Sequence, residues 1–281
     1  MKTIILLTSL LMLSISVQSQ ILDSTVIVCQ YKANTIKVTA QKPVEDLIRL
    51  EIGKSLSKSY SIYTARSDSF EMSPDYQVRL AQMSEQITAS IISGIDLDEA
   101  ITRSGMLPVR DLVVTYKNYP KGQITVLDRI NDKQYKYMDE LNSQNWEVQT
   151  DTIHVLGYVC QKATTEWRGR KYEAWFATEI PFSDGPMKFG GLPGLIFKLY
   201  DKNKEYCYEM EGIEKKVVPI KMDVPVKHKS FIVTTRKKFM KTYRNYLKNF
   251  GLIMASETGI NVATDAGFSE NDKYDFLETD L

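Results

Sequence analysis

Histidine is nearly missing from this sequence, which holds only His154 and His228. With no H-x-x-x-H or H-E-x-x-H pair, a histidine-built catalytic zinc site is excluded. A G-x-S-x-G elbow, a Walker loop and a G-x-G-x-x-G between strand and helix are absent too. The commonest serine-hydrolase, nucleotide and dinucleotide signatures therefore find no support. Charge of one sign is not in excess: 36 Lys and Arg stand against 35 Asp and Glu. Bulk attraction to nucleic acid or anionic lipid is not indicated by that balance. After the N-terminal stretch, no segment approaches the roughly 18–20 consecutive apolar residues that a membrane-spanning helix needs. No Pro/Ser-rich linker divides the chain, and no cofactor is implied.

What the N-terminus does hold is a secretory leader pattern. Lys2 precedes an apolar run from Ile4 to Ile15, and Val17-Gln18-Ser19 offers a small-residue cleavage site. Cleavage near Ser19 and export to the periplasm or outer envelope are expected. Residues 20–255 then read as one β-rich domain, and 256–281 as an acidic tail. A calcium role for Asp265, Glu270, Asp272 and Asp275 in that tail lacks the spacing of an EF-hand loop.

Short runs of β-branched, aromatic and alternating residues dominate the middle of the chain. Among them are Thr25–Tyr31, Leu47–Ile52, Tyr60–Thr64, Leu112–Tyr116, Gln123–Leu127, Gln134–Met138, Leu195–Tyr200 and Tyr206–Glu211. The class they define is mainly β, a curved antiparallel sheet or open barrel with one or two packed helices. One helix is expected with Ser73 as its N-cap and Pro74 at its first position; Tyr76, Leu80, Met83, Ile87 and Ile91 fall on one face that ends near Gly94. It belongs to a helical insertion over about 73–102. A second helix is expected over 234–250, with Phe239, Tyr243 and Leu247 as its apolar stripe and a basic, solvated opposite side.

Arg168-Gly169 separates two strand runs by two residues, a hairpin signal. The implied register sets Lys162 opposite Trp175, Thr164 opposite Glu173 and Glu166 opposite Lys171. One face is then mainly apolar, with Arg170 and Tyr172 on it, and the other mixes charges with Cys160 and Trp175. Lys162 over Trp175 reads as a cation–π or cross-strand pair, and Lys162, Trp175, Arg170 and Tyr172 stand as candidate ligand contacts. Of the three cysteines, Cys29, Cys160 and Cys207, an exported location would permit a Cys160–Cys207 disulfide; buried free thiols are the other reading. A Cys160–His154 nucleophile pair and an acid–base pair drawn from Glu173, Glu179 and Asp184 are the enzymatic readings; a hydrogen-bonded core or surface histidine and the ordinary carboxylates of an exposed hairpin are the structural ones.

Gly185, Pro186, Gly190, Gly191, Pro193 and Gly194 crowd into one short stretch that runs directly into Leu195-Ile196. Leu192-Pro193-Gly194-Leu195 reads as a type II turn with Gly194 at positive φ. A folding-critical turn is expected here rather than an anion cradle, since Pro186 and Pro193 lack N–H donors.

Gly191 to Ile196 spell the motif of the GLPGLI family, and the chain resembles that family elsewhere. Asn145-Trp146, Gly157 to Ala163, Gly169-Arg170, Ala174-Trp175-Phe176, Ile180-Pro181 and Gly185-Pro186 follow in order. The resemblance implies an exported bacterial protein without an established activity. On this reading the chain is not an enzyme but a binding or accessory protein of the envelope, with an envelope protein, a peptide or a lipid as partner. A hydrolase using Cys160 or paired carboxylates, and a purely structural envelope component, remain as alternatives.

Overall fold

The computed structural model describes residues 20–35, 43–224, 230–250, 252–253, 278 and 280. The leader, His228 and the four tail acids named above lie outside them. In chain order the elements begin with β1 (Ile21–Thr35), β2 (Val44–Gly53), β3 (Ser57–Ser61), α1 (Ile62–Glu71), α2 (Tyr76–Ile92) and α3 (Leu97–Ser104). Next come β4 (Val114–Lys117), β5 (Gln123–Ile130), β6 (Lys133–Glu140), β7 (Glu147–Val155), β8 (Tyr158–Trp167) and β9 (Arg170–Ala177). The chain continues through β10 (Leu195–Asp201), β11 (Tyr206–Glu214), β12 (Pro219–Lys221), β13 (Ile232–Val233) and α4 (Arg236–Lys248).

Among the described residues, the strands form one open sheet in the order β13-β6-β5-β4-β3-β2-β1-β11-β10-β9-β8-β7, with β12 beside β1. Pairing is antiparallel except between β13 and β6. The expected class is therefore the observed one, and the sheet is strongly curved. Eight inter-strand steps separate β6 from β9, roughly 38 Å if the sheet were flat. Yet Arg168, in the β8–β9 turn, holds Asp139 of β6 at 2.5 Å. Curling brings the two ends together around a shared interior.

Alternation decides which side chains enter that interior. Cys29, Tyr31 and Ala33 of β1 stand in register with Leu50, Ile48 and Asp46 of β2. Each of these six is buried. On β5 the inward row is Ile124, Val126, Asp128 and Ile130, and on β6 it is Tyr135, Tyr137 and Asp139. The rows of β2, β5 and β6 thus each carry one carboxyl, Asp46, Asp128 and Asp139, among largely apolar residues.

The hairpin register holds at every residue named: Lys162 faces Trp175, Thr164 faces Glu173 and Glu166 faces Lys171. Arg168 at φ 49° and Gly169 at φ 83° make the two-residue turn, the left-handed pair that fits strand twist. Two local readings shift. The run Tyr60–Thr64 splits, because Ser61 caps α1, its side chain accepting from the backbone N–H of Thr64. The cap of α2 is Asp75 rather than Ser73. The basic helix is found as α4, capped by Thr235.

The glycine-rich stretch fills the concavity of the sheet. Met187 and Phe189 are buried, each side chain contributing roughly 1.5–3 kcal/mol by leaving water. Its carbonyls face inward donors: Lys117 Nζ donates to Gly185 O at 2.5 Å and to Phe189 O at 3.0 Å. Thr115 donates to Met187 O and Trp146 to Gly190 O. A loop that presents carbonyls to donors is not an anion cradle. The expected positive φ at Gly194 is corrected: the left-handed glycine is Gly191, at φ 86°. Gly194 is required by close approach instead, since a Cβ there would lie 2.3 Å from the Ala177 carbonyl oxygen. Leu192, Leu195 and Ile196 are buried in the same core. No helix among the described residues is long and apolar enough to cross a membrane.

Candidate functional site

The four ligand contacts expected from the hairpin do not converge. Lys162 lies 5.6 Å from the Trp175 ring and 2.9 Å from Glu173. Trp175 Nε1 and the Tyr200 hydroxyl donate to the same carboxylate. Alternation sends Arg170 and Tyr172 to the opposite face. Arg170 pairs with Asp201 and Glu205 there, and Tyr172 packs on Phe189 with ring centroids 4.8 Å apart.

The Cys160–Cys207 disulfide is corrected: all three cysteines are free thiols. Cys160 is on β8 and Cys207 on β11, with β9 and β10 between them. That separation is roughly 14 Å, twice what a disulfide spans. His154 pairs with Val159, while Cys160 pairs with Ile153, so the imidazole and the thiol point to opposite faces. Burial pushes the Cys160 thiol up to about 11. Glu173 is engaged by Lys162, Asp184 by Lys117, and Glu179 is exposed; these acids form no pair.

A cavity of about 400 Å³ opens instead inside the curl of the sheet. Asp46, Asp111 and Asp128 supply its carboxyl side, and Tyr137, Tyr206 and Tyr208 much of its aromatic wall. The stripe of α4 forms a further wall, with Phe239 stacked 5.1 Å from Tyr137 and Tyr243 and Leu247 beside it. Lys188 and Glu278 line it as well.

The local chain explains each acid's surroundings. Asp46 continues the inward row of β2 and accepts from Ser61 Oγ at 2.8 Å, from Asp111 N at 3.0 Å and from Leu47 N at 2.7 Å. Burial outweighs these bonds and raises its carboxyl above the usual range. Asp128 accepts from the Arg129 backbone N–H at 2.7 Å. Burial, aided by the charge of Asp111, pushes Asp128 up to about 7 against the pull of Lys188 and Arg129. By accessible surface Asp128 is only half-buried. It keeps a face open to the cavity while protein closes around it elsewhere. Burial alone would also raise Asp139, but hydrogen bonds and charge from Arg168 and Lys188 hold it well below the usual carboxylate range.

One acid that keeps its proton near neutral pH, beside others in a small aromatic-walled cavity, is suited to donating a proton or binding hydroxyl groups. None of Asp46, Asp111 and Asp128 was singled out in the sequence. For Asp46 and Asp128 the available signal was parity, an aspartate on the apolar inward row of a strand; Asp111 lies outside the strands and carried none.

The family model described as "N-glycanase peptide, N-terminal domain" matches residues 67–240, more than half of the sequence, and the chain belongs to that family. Two solved structures are similar to it, "Structure of PNGF-II in C2 space group" and "Structure of PNGF-II in P21 space group", with TM-scores of 0.46 and 0.47. Both are 13% identical to this chain, and the match covers 79% of it and 33% of the other. The chain thus spans about a third of the length of those proteins. No curated protein matches it.

The family match overturns the GLPGLI assignment. Gly191 to Ile196 answer to the packing of a tight loop, a demand that any sheet curled around such a loop makes. The family is named for an enzyme. The readings as a non-enzymatic binding or accessory protein, or as a structural envelope component, are corrected with it.

Proposed function

We propose that this chain acts on N-linked glycans, a reading supported by its membership of a family described as the N-terminal domain of an N-glycanase, and that the cavity beneath α4 receives a sugar of the substrate. Hydrolysis of the nitrogen linkage between glycan and asparagine requires a proton for the departing nitrogen. Asp128, protonated near neutral pH, is the residue assigned to supply it. Asp46 and Asp111 accept sugar hydroxyls, and the tyrosine and phenylalanine rings pack against the apolar faces of the sugar ring. The observation that carries this reading is the half-buried Asp128 on the cavity wall beside Asp46, Asp111 and the tyrosines, where burial raises its carboxyl to about 7. Work outside the cytoplasm is part of the proposal, on the strength of the leader-like residues 1–19; sequencing the N-terminus of the mature protein tests that part.

The activity is tested by incubating the purified chain with an N-glycosylated peptide and following released glycan by mass spectrometry. Release by the wild type, falling at least about 100-fold in Asp128→Asn, is expected for loss of a general acid. No release by the wild type, or equal release by the variant, contradicts the proposal.

A further inference from the structure

At the wall of the same cavity, three cations from three elements converge on one carboxylate. Lys188, in the loop after β9, places Nζ 2.6 Å from Glu278 Oε1. Arg168, in the β8–β9 turn, donates to Glu278 Oε2 at 2.7 Å. Arg236, the first residue of α4, donates to the same oxygen at 2.5 Å. The cluster is dry, with Lys188 6%, Arg168 11% and Arg236 16% exposed by side chain.

Asp139 takes part of this charge, bonding Lys188 at 2.9 Å and Arg168 at 2.5 Å, and Asp280 pairs with Arg236. Without Glu278 the cluster would therefore carry one net positive charge in a buried setting, which demands an anion. Both oxygens of the present carboxylate are bonded, Oε1 by Lys188 and Oε2 by Arg168 and Arg236 together, charge-assisted contacts that suit a carboxylate. The three cations and Asp139 all lie within residues 67–240, the stretch the family model matches, whereas Glu278 lies outside it. The receptor thus belongs to the family-matched body, and its occupant comes from the far end of the chain.

We propose that Lys188, Arg168 and Arg236 form an anion subsite of the cavity, occupied here by Glu278, whose ligand is the carboxylate of an acidic sugar. The sugar identity rests on the glycan reading above, but the binding readout does not require turnover, so the two can fail separately. Glu278→Gln removes the resident charge and nearly preserves shape. Its Tm is expected to fall by roughly 5–15 °C. Glucuronate at millimolar concentration should restore at least half of that loss, and glucose none. Glucuronate should bind the variant at least about tenfold more tightly than it binds the wild type, where Glu278 competes. Adding Arg236→Met to Glu278→Gln should abolish the rescue.

Absence of rescue by glucuronate overturns the subsite. Rescue by acetate equal to that by glucuronate overturns the sugar assignment. If Glu278→Gln does not fold, glucuronate is titrated into the wild type and the Arg168 and Arg236 Nε–H resonances are followed. Saturable shifts there, with none for glucose, are expected; unmoved resonances overturn the proposal.

Discussion

At the scale of single residues, two positions act through reasons that composition does not reveal. Gly194 is held by space and not by backbone conformation, because the Ala177 carbonyl oxygen occupies the place of a Cβ at 2.3 Å. Even Gly194→Ala should therefore cost roughly 1–3 kcal/mol in urea unfolding, as overpacking does. Gly122→Ala is the control: its φ is +79° and its Cβ would meet open space, so it should cost about 1 kcal/mol through the backbone alone. An equal, small loss at both positions would remove the steric account of the motif. The second position is Asp128. Its carboxyl is raised in the folded state from 3.8 to about 7. The stability it permits is fully present below pH 3.8 and is lost as pH rises through 7. Asp128→Asn abolishes that loss, so the variant should match the wild type near pH 4 and exceed it by roughly 2–4 kcal/mol at pH 8. Parallel curves of Tm against pH for the two proteins would contradict a raised carboxyl. Asp139 works in the opposite sense, since its depressed carboxyl contributes stability that is lost as pH falls.

At the scale of elements, most of the β8–β9 hairpin, α2 and α4 was legible because each rests on local rules. A two-residue turn sets register, and an apolar stripe at helical spacing finds the core. The elements that escaped rest on partners far away in sequence. The strand β7 is largely polar and exposed, so no alternation marks it. The helix α1 has no distinct apolar face and begins where Ser61 both caps it and bonds Asp46. The turn motif packs in the core, and its Gly194 answers to the approach of Ala177, which depends on the fold of β9, rather than to a positive φ. The loop it belongs to hangs on Lys117, which reaches the carbonyls of Gly185 and Phe189 and pairs with Asp184. Lys117→Met should destabilise by roughly 2–4 kcal/mol, since it leaves the half-buried Asp184 without its cation and the carbonyls of Gly185 and Phe189 without their donor. The double variant Lys117→Met with Asp184→Asn should recover much of that loss, and a double-mutant cycle in denaturant checks it. Additive losses would mean that the pair is not coupled.

At the scale of the whole molecule, the curl of the sheet creates the site. Asp46, Asp111 and Asp128 are 17 to 82 positions apart, and nothing in their separate neighbourhoods announces a shared cavity. Only the closure that brings β6 beneath the β8–β9 turn and lays α4 over the opening gives them common surroundings. The acids considered from sequence, Glu173, Glu179 and Asp184, were visible because they cluster near one hairpin and its following loop, yet the sheet disperses them. Within that cavity Asp128 is proposed to donate a proton in the cleavage of N-linked glycans. The pH dependence of kcat/KM for glycan release from an N-glycosylated peptide decides whether it does. A donor acid requires the protonated form, so the rate should fall as pH rises through about 7. In Asp128→Asn that limb should be missing from a much lower profile. A wild-type profile that stays flat from pH 5 to about 9, or keeps the same limb in the variant, would contradict the claim.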